Sequence, residues 1–453
     1  MDFSNNSMEA IKSSKEPKPL PRRKMLFTTT AILFGNLTFG CCLNVLPPAL
    51  DNLRSKYNTT IDGISMVFTI STICYCIGAI ACGFLSNCMN RQLIAIGSLT
   101  GSAFSIYMTP YCPTKIFFFV IGGLLGFSSG MYDSTQMVWI IEIWQHKSGP
   151  FIQAQHFCYA IGAIIPSLIV APFLNENDHS SNTEMPQIHI PFLIIGTLTT
   201  LAVMYQSFLF IFCRYRTPPM YANDNFELID DAKNTQCAVM ADFSENISNN
   251  EHRSDNFMGV SKRKIQLVSL TVWFLGCYGA MEVSTMQFLP IFGQYSSLKL
   301  PESVSSYVLT LLTGMFAVGR LIGILIISKV RSEVILVANF ILVLTGNFIL
   351  LHWANNNLLM FWIGSAILGA GYSTIFPSYC AFIEKYLVFT SAIASSTIVL
   401  GATISSIYPL IIGRIIEHHA VVLTYTNFFS TFVCAIALFW SYKLTRQIVN
   451  RER

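Results

Sequence analysis

Three ionisable side chains lie inside long apolar runs: Asp133, Glu282 and Arg320. At the centre of a membrane helix such a residue costs roughly 2.5–3.5 kcal/mol on insertion scales, so something must compensate it, and each is a candidate for function. Asp133 falls three residues past the midpoint of the apolar stretch 116–144. In a water-filled cavity it could ionise and hold Na+, or take up a proton; a structural pair with a basic residue remains open. Glu282 falls slightly beyond the centre of 265–293, with Gln287 and Pro290 after it. A proline there frees a helix carbonyl, which suits a cation site or a gate. Glu282 is therefore a candidate for contact with substrate or cation, against the alternative of a protonated carboxyl that packs two helices. Arg320 cannot shed its charge. Its depth resembles that of Asp133, so a pair between them could break and re-form as a gate, or could be permanent. Nearer helix ends, Arg91 with Glu142 and Arg331 with Glu384 suggest a repeated charge latch that holds the outward-facing state, or ordinary snorkelling at the interface. His156 is a shallow candidate for a proton switch or a structural residue.

Those charges stand out because charge is scarce. The chain has 453 residues, 53% apolar and 11% charged, with a mean hydropathy of +0.52. Soluble globular chains carry about 25% charged residues. A soluble domain, a disordered chain and a nucleic-acid binder are excluded on that ground. Of the 13 cysteines most fall in apolar runs, and only Cys112 falls in a segment expected outside the cell. No disulfide framework follows. No C-x-x-C pair or clustered His/Cys spacing points to a metal, and no phosphate loop or nucleophile constellation points to an enzyme or a cofactor.

The elements that must position the three charges are membrane helices, because hydrocarbon cannot satisfy an open sheet edge. A span takes about 20 apolar residues. Runs of that size cover 25–50, 61–85, 93–111, 116–144, 150–174 and 190–213, then 265–293, 303–328, 334–353, 358–386, 389–413 and 421–442. The expected fold is all-α and integral to the membrane, with twelve spans in two six-helix bundles. The expected domains are a cytoplasmic tail 1–24, a bundle 25–216, an acidic linker 217–264, a second bundle 265–442 and a tail 443–453. The linker is expected to be mostly disordered. With both termini inside, inner segments hold 22 of the 28 Lys and Arg and outer segments hold five, which sets the orientation. The sequon at Asn58 then lies outside and can carry glycan, whereas the one at Asn246 lies inside.

The halves look related. Gly83 precedes Arg91 by eight residues, as Gly323 precedes Arg331; Gly126 and Glu142 recur approximately as Gly369 and Glu384; Pro166 answers Pro409. Gly122, Gly126 and Gly130 share one helix face that lets another helix approach closely. Gly369 and Gly371 lead to Pro377, a bend that could open and close.

The loop from Gly83 to Arg91 is similar to the signature loop of the major facilitator superfamily, with Gly83, Leu85, Ser86 and Arg91 matching or nearly matching, and Asn87 in place of its acid. The stretches Gly126–Asp133, Trp139–Trp144, Gln155–Phe157, Gly276–Glu282 and Gly319–Gly323 resemble the major facilitator domain-containing 4 group, which includes sodium-dependent glucose transporter 1, and more distantly bacterial fucose–proton symporters. That resemblance implies alternating access, a glucose-like monosaccharide, and Na+ or H+ as the co-transported ion. It also implies that spans one, four, seven and ten line the cavity. A sugar wants amides for its hydroxyls and an aromatic face for its ring. Asn36, Asn44, Gln136, Trp139, Trp273, Tyr278 and Gln287 are candidates beside Glu282, although each alone could be a packing or interface residue. Asp133 and Glu282 are the candidates for cation coupling. Expected partners are the lipid bilayer, the sugar and a monovalent cation, with no nucleic acid, in a monomer at the plasma membrane. Uniport, proton symport and a non-transporting sensor remain alternatives.

Overall fold

A computed structural model of the chain describes residues 22–145, 148–174, 187–215, 255–326, 329–383, 385–386 and 401–452. Among them every regular element is helical. Eleven helices are long and apolar enough to cross a membrane. In chain order these are spans one to six, at Arg22–Lys56, Ile61–Ser86, Arg91–Tyr111, Lys115–Trp144, Gly149–Phe173 and His189–Phe212. Spans seven to ten follow at Ile265–Tyr295, Glu302–Gly323, Ser332–Ala354 and Leu358–Ile383, and span twelve at Val422–Gln447. Helix Ile407–Ile415 forms the end of span eleven, of which 389–400 lie outside the described residues. The all-α membrane architecture of twelve helices is therefore the one found.

Side chains begin and end these helices. Thr60, Asn90, Thr114 and Asn357 each accept a bond from a backbone N–H of the first turn that follows. Three boundaries differ from the sequence reading. Span one breaks at Val45 and resumes as Leu46–Lys56, where Pro47 and Pro48 fit a first turn whose N–H groups need no partner. The helix of span seven starts at Asp255, ten residues inside the expected linker, because no proline stops it before Pro290. The last helix runs to Glu452, through most of the expected tail, for lack of any Gly or Pro after Val422. The rest of the linker, 217–254, lies outside the described residues.

Within the first half, span four packs on spans two and three, and span one on spans five and six. Within the second, span ten packs on spans eight and nine, and span seven on span twelve. The halves meet where span five runs along span eight and where span two meets helix Ile407–Ile415. The end of the bundles that carries residues 22 and 452 is called the terminal end below, and the opposite one the distal end.

Glycine sets how close two of these helices come. A Cβ at Gly122, Gly126 or Gly130 would run into Val67, the Ser71 carbonyl or the Tyr75 carbonyl, so span two lies directly on the glycine face of span four. The second half repeats the device, with Gly369 of span ten against the Leu312 carbonyl of span eight. Span ten breaks after Tyr372 and restarts at Ile375, with Pro377 in the new first turn.

Candidate functional site

The glycine seam delivers the first part of the site. Gly130 holds span two so close that the Tyr75 hydroxyl reaches the Asp133 carboxylate. Gln136, one turn on, donates to the other carboxylate oxygen at 3.0 Å. The Gln136 side-chain amide oxygen, Oε1, in turn accepts from Asn36 and from Gln155 at 3.0 Å. Spans one, two, four and five thus support one carboxyl through a chain of amides and a phenol.

Span seven supplies the second part. Glu282 lies beside Tyr278 and within electrostatic reach of Arg320. Tyr278 is fixed by donating to the Tyr372 carbonyl at 2.7 Å. Behind it, the Tyr372 hydroxyl meets Thr285 at 3.1 Å, Asn427 donates to Thr285 at 3.0 Å, and Asn427 also donates to Asn347 at 3.0 Å. This network is buried and joins spans seven, nine, ten and twelve.

Arg320 of span eight completes the centre. Its guanidinium lies over the Phe316 ring at 4.3 Å and donates across the halves to the His156 carbonyl at 3.3 Å. Among the described residues it makes no ion pair within 4.0 Å, and its Nε has no partner. The Tyr159 hydroxyl of span five lies in the electrostatic reach of Glu282, Arg320 and Asp133 together. Asp133 and Arg320 each stand 18 residues from the distal start of their helices, at Lys115 and Glu302, which puts them at one level. The expected direct pair between Asp133 and Arg320 does not form. With both carboxyls ionised, the three side chains sum to one negative charge.

The candidate sugar ligands divide. Tyr278 and Glu282 share this centre. Gln287 follows Glu282 by five residues, well round the helix from it, and its buried Oε1 has no partner among the described residues. Asn44 bonds the Gly40 carbonyl at 2.9 Å and reaches Tyr159 at 3.5 Å. Asn36 and Gln136 are buried, with their amides turned to each other and to Asp133. Trp139 is 1% exposed and packs edge-on against Tyr215, away from the centre. Trp273 is 53% exposed. It precedes Glu282 by nine residues, about half a turn round the helix beyond whole turns, so it faces the other way. Two surface grooves, one at Arg23, Thr30 and Tyr205 and the other at Ile70, Cys74 and Ile116, lie apart from this centre. Among the described residues no three of His, Cys, Asp and Glu converge as a metal site.

The latch pairs also divide. Arg91 clasps the Glu142 carboxylate through Nη2 at 2.7 Å and Nε at 3.1 Å, and Tyr215 donates to its other oxygen at 3.1 Å. Both partners belong to the first half, so this bond does not tie the halves together. Arg331 is exposed at the start of span nine, and Glu384 lies outside the described residues. Where the second half meets the same two helix ends, Glu333 and Lys385 approach at 3.5 Å, with the charges exchanged.

Sequence reasoning missed the distal seal. Asn52 of span one bonds the Glu302 carboxylate of span eight. The Glu417 carboxylate accepts from the Ile61 N–H at 2.7 Å, at the start of span two. Deeper in, Thr69 donates to the Ser406 carbonyl at 3.0 Å and Ser306 to the Ser167 carbonyl at 2.8 Å. Asn58 sits exposed beside this seal, in a left-handed turn with φ of 45° that asparagine tolerates. Cys112, just past span three, is buried, and burial pushes its thiol up.

Comparison with known proteins agrees with this geometry. Residues 32–406 match the model of the Major Facilitator Superfamily. The chain is similar to sodium-dependent glucose transporter 1 of Homo sapiens, 23% identical over 92% of this chain and 79% of that one. It is 24% identical to the Xenopus laevis protein of that name, over 88% of this chain and 78% of that one. It is 23% identical to major facilitator superfamily domain-containing protein 4A of Xenopus tropicalis, over 88% and 87%. Among solved structures its fold is like that of a xylose transporter from E. coli in a partially occluded inward-open conformation, with a TM-score of 0.68 at 11% identity, covering 93% of this chain and 98% of that one. A D-xylose–proton symporter follows at a TM-score of 0.64 and 12% identity, over 92% and 97%. Two helical halves that meet along spans two, five, eight and eleven, with the family match over most of the length, lead to one conclusion: the chain belongs to the major facilitator superfamily.

Proposed function

We propose that this protein carries a glucose-like monosaccharide across a membrane by alternating access, driven by one monovalent cation. The observation that supports this most is that the Tyr159 hydroxyl, between the halves, lies within electrostatic reach of Asp133 on one side and of Glu282 and Arg320 on the other. Three side chains that sum to one negative charge resist being occluded in a low-dielectric centre. One bound cation neutralises them, and the loaded carrier then turns over more readily than the carrier without its ion. Tyr278 and Asn44, beside these charges, offer the ring surface and amide that a sugar needs, and Gln287 on the same helix as Tyr278 offers a further unpartnered amide. The relatives named for sodium and glucose favour Na+, whereas the solved xylose symporter is named for the proton.

In this reading the termini are cytoplasmic, the distal end faces outside, and the seal at Asn52 and Glu417 belongs to an inward-facing state. Asn58 is then the glycan acceptor. The Arg91–Glu142 pair is made in this state, so it shapes the first half and does not latch the outward-facing one. The test is uptake of labelled hexoses into proteoliposomes under a Na+ gradient, a pH gradient or neither. Concentrative uptake under Na+ supports the reading; concentration under the pH gradient alone transfers coupling to the proton. Gradient-independent equilibration makes the protein a uniporter, and no uptake of any hexose removes the sugar.

A further inference from the structure

The distal seal holds more than hydrogen bonds. Asp51 and Glu302 lie on different halves, and their carboxyls are within hydrogen-bond distance of each other. Asn52 donates to Glu302, and Arg54 Nε donates to Asp51 at 2.6 Å. The Tyr295 hydroxyl of span seven also reaches Asp51. Glu302 is 9% exposed, and the Asp51 side chain is 13% exposed. Two carboxylates at such range repel where water is largely excluded, and a proton shared between them turns that repulsion into a bond. The remaining charges that face the pair are few. Arg54 belongs to span one and balances one carboxylate. Glu417, beyond span eleven, lies within electrostatic reach of Arg54 but spends one oxygen on the Ile61 N–H. Lys56 turns away to the Pro110 and Cys112 carbonyls, and Lys299 is exposed on the loop before span eight.

We propose that Asp51 and Glu302 form a proton-operated clamp on the distal mouth, closed when they share a proton and opened by its loss. The inference rests on the alternating-access reading above. Loss of the shared proton leaves two like charges on opposite halves against one Arg54, and the halves part there. When the mouth opens, each carboxyl gains water and the proton is no longer held. The closed-to-open ratio therefore falls as pH rises, by up to tenfold per pH unit for a single linked proton. Asn52 and Glu417 make bonds that do not require that proton, so they hold the mouth without sensing pH. The clamp would couple the outward-facing population to the acidity of the distal compartment, separately from the ion bound at the centre.

The test uses the full chain in lipid nanodiscs, with spin-labelled non-canonical residues at Ser55 and His418, which are exposed on the distal tips of the two halves. Pulsed dipolar distances are read between pH 5.5 and pH 8.5 without sugar. The expected result is a short distance at low pH that gives way to a longer one as pH rises. Glu302→Gln should keep the short distance at both values, because its amide can donate to Asp51 without a proton from solution. Asn52→Ala should weaken closure yet preserve the pH slope. A wild-type distribution that ignores pH overturns the clamp, and so does an unchanged pH slope in Glu302→Gln. The distances need no transported sugar, so a failure of hexose uptake leaves this readout intact, and the two readings fail separately.

Discussion

Replacing Glu142 by Gln probes the most deeply buried ion pair among the described residues of the first half. Arg91 would lose the carboxylate charge that its two bonds, at 2.7 and 3.1 Å, now meet on one oxygen, while its side chain remains only 12% exposed. Arginine cannot neutralise itself, so the charge is left buried without its partner. Breaking a pair of this kind costs about 3–5 kcal/mol, whereas an exposed pair contributes about 0–1 kcal/mol. Tyr215 can still donate to the amide oxygen, which places the expected loss toward the lower part of that range. Arg91→Met with Glu142→Met together should cost much less than Glu142→Gln alone, because no orphan charge remains. The assay is thermal unfolding of the purified protein in detergent, with the coupling energy taken from a double-mutant cycle. The double variant should also retain sugar uptake, since both partners lie in one half. A loss below about 1 kcal/mol in Glu142→Gln would refute the buried-pair reasoning and leave snorkelling at the interface. Intact stability with lost transport in the double variant would return the pair to gating.

Gly130→Val would push span two off span four and pull Tyr75 from Asp133, so cation dependence should weaken before the fold fails; unchanged ion affinity in a folded variant would contradict the seam. Asn427→Leu should lower stability by about 1–3 kcal/mol by stranding Thr285 and Asn347, read by the same melts. Glu282→Gln should abolish net accumulation of sugar, and full coupled uptake in that variant would remove it from the site. Cys112, fully buried and donating to the Met108 carbonyl, should resist an impermeant maleimide on intact cells. Asn58→Gln should remove the glycan shift on a gel, whereas a shift that depends on Asn246 would reverse the orientation.

The fold was legible because its signal is coarse. Twelve apolar runs and a lopsided set of Lys and Arg survive any local misreading, and the glycine face at Gly122, Gly126 and Gly130 follows from helical periodicity alone. Helix ends were less legible. Polar residues such as Lys262 and Arg446 mark the edge of hydrocarbon but do not stop a helix, so the helices of spans seven and twelve run on. Asp133, Glu282 and Arg320 stood out as charges in apolar surroundings. Their neighbours did not, because a tyrosine such as Tyr75 or Tyr159 is ordinary in a span and only packing brings it to a carboxyl. Asn36 and Gln136 looked like free sugar ligands, since a sequence does not say which amides face each other. The direction of Trp273 could have been read, because nine residues carry it to the far side of the helix from Glu282. The Asn52–Glu302 bond joins residues 250 apart across two halves, and no local pattern announces it.

The central claim is that one cation cancels one negative charge at the centre in each transport cycle. Sugar-evoked current from proteoliposomes on a solid-supported membrane, calibrated against labelled sugar taken up by the same vesicles, measures that charge. The account predicts a current that needs Na+, or H+ if the proton is the coupled ion, with one positive charge moved per sugar. Glu282→Gln should remove the current. Sugar uptake at wild-type rate with no current under any gradient would contradict the account.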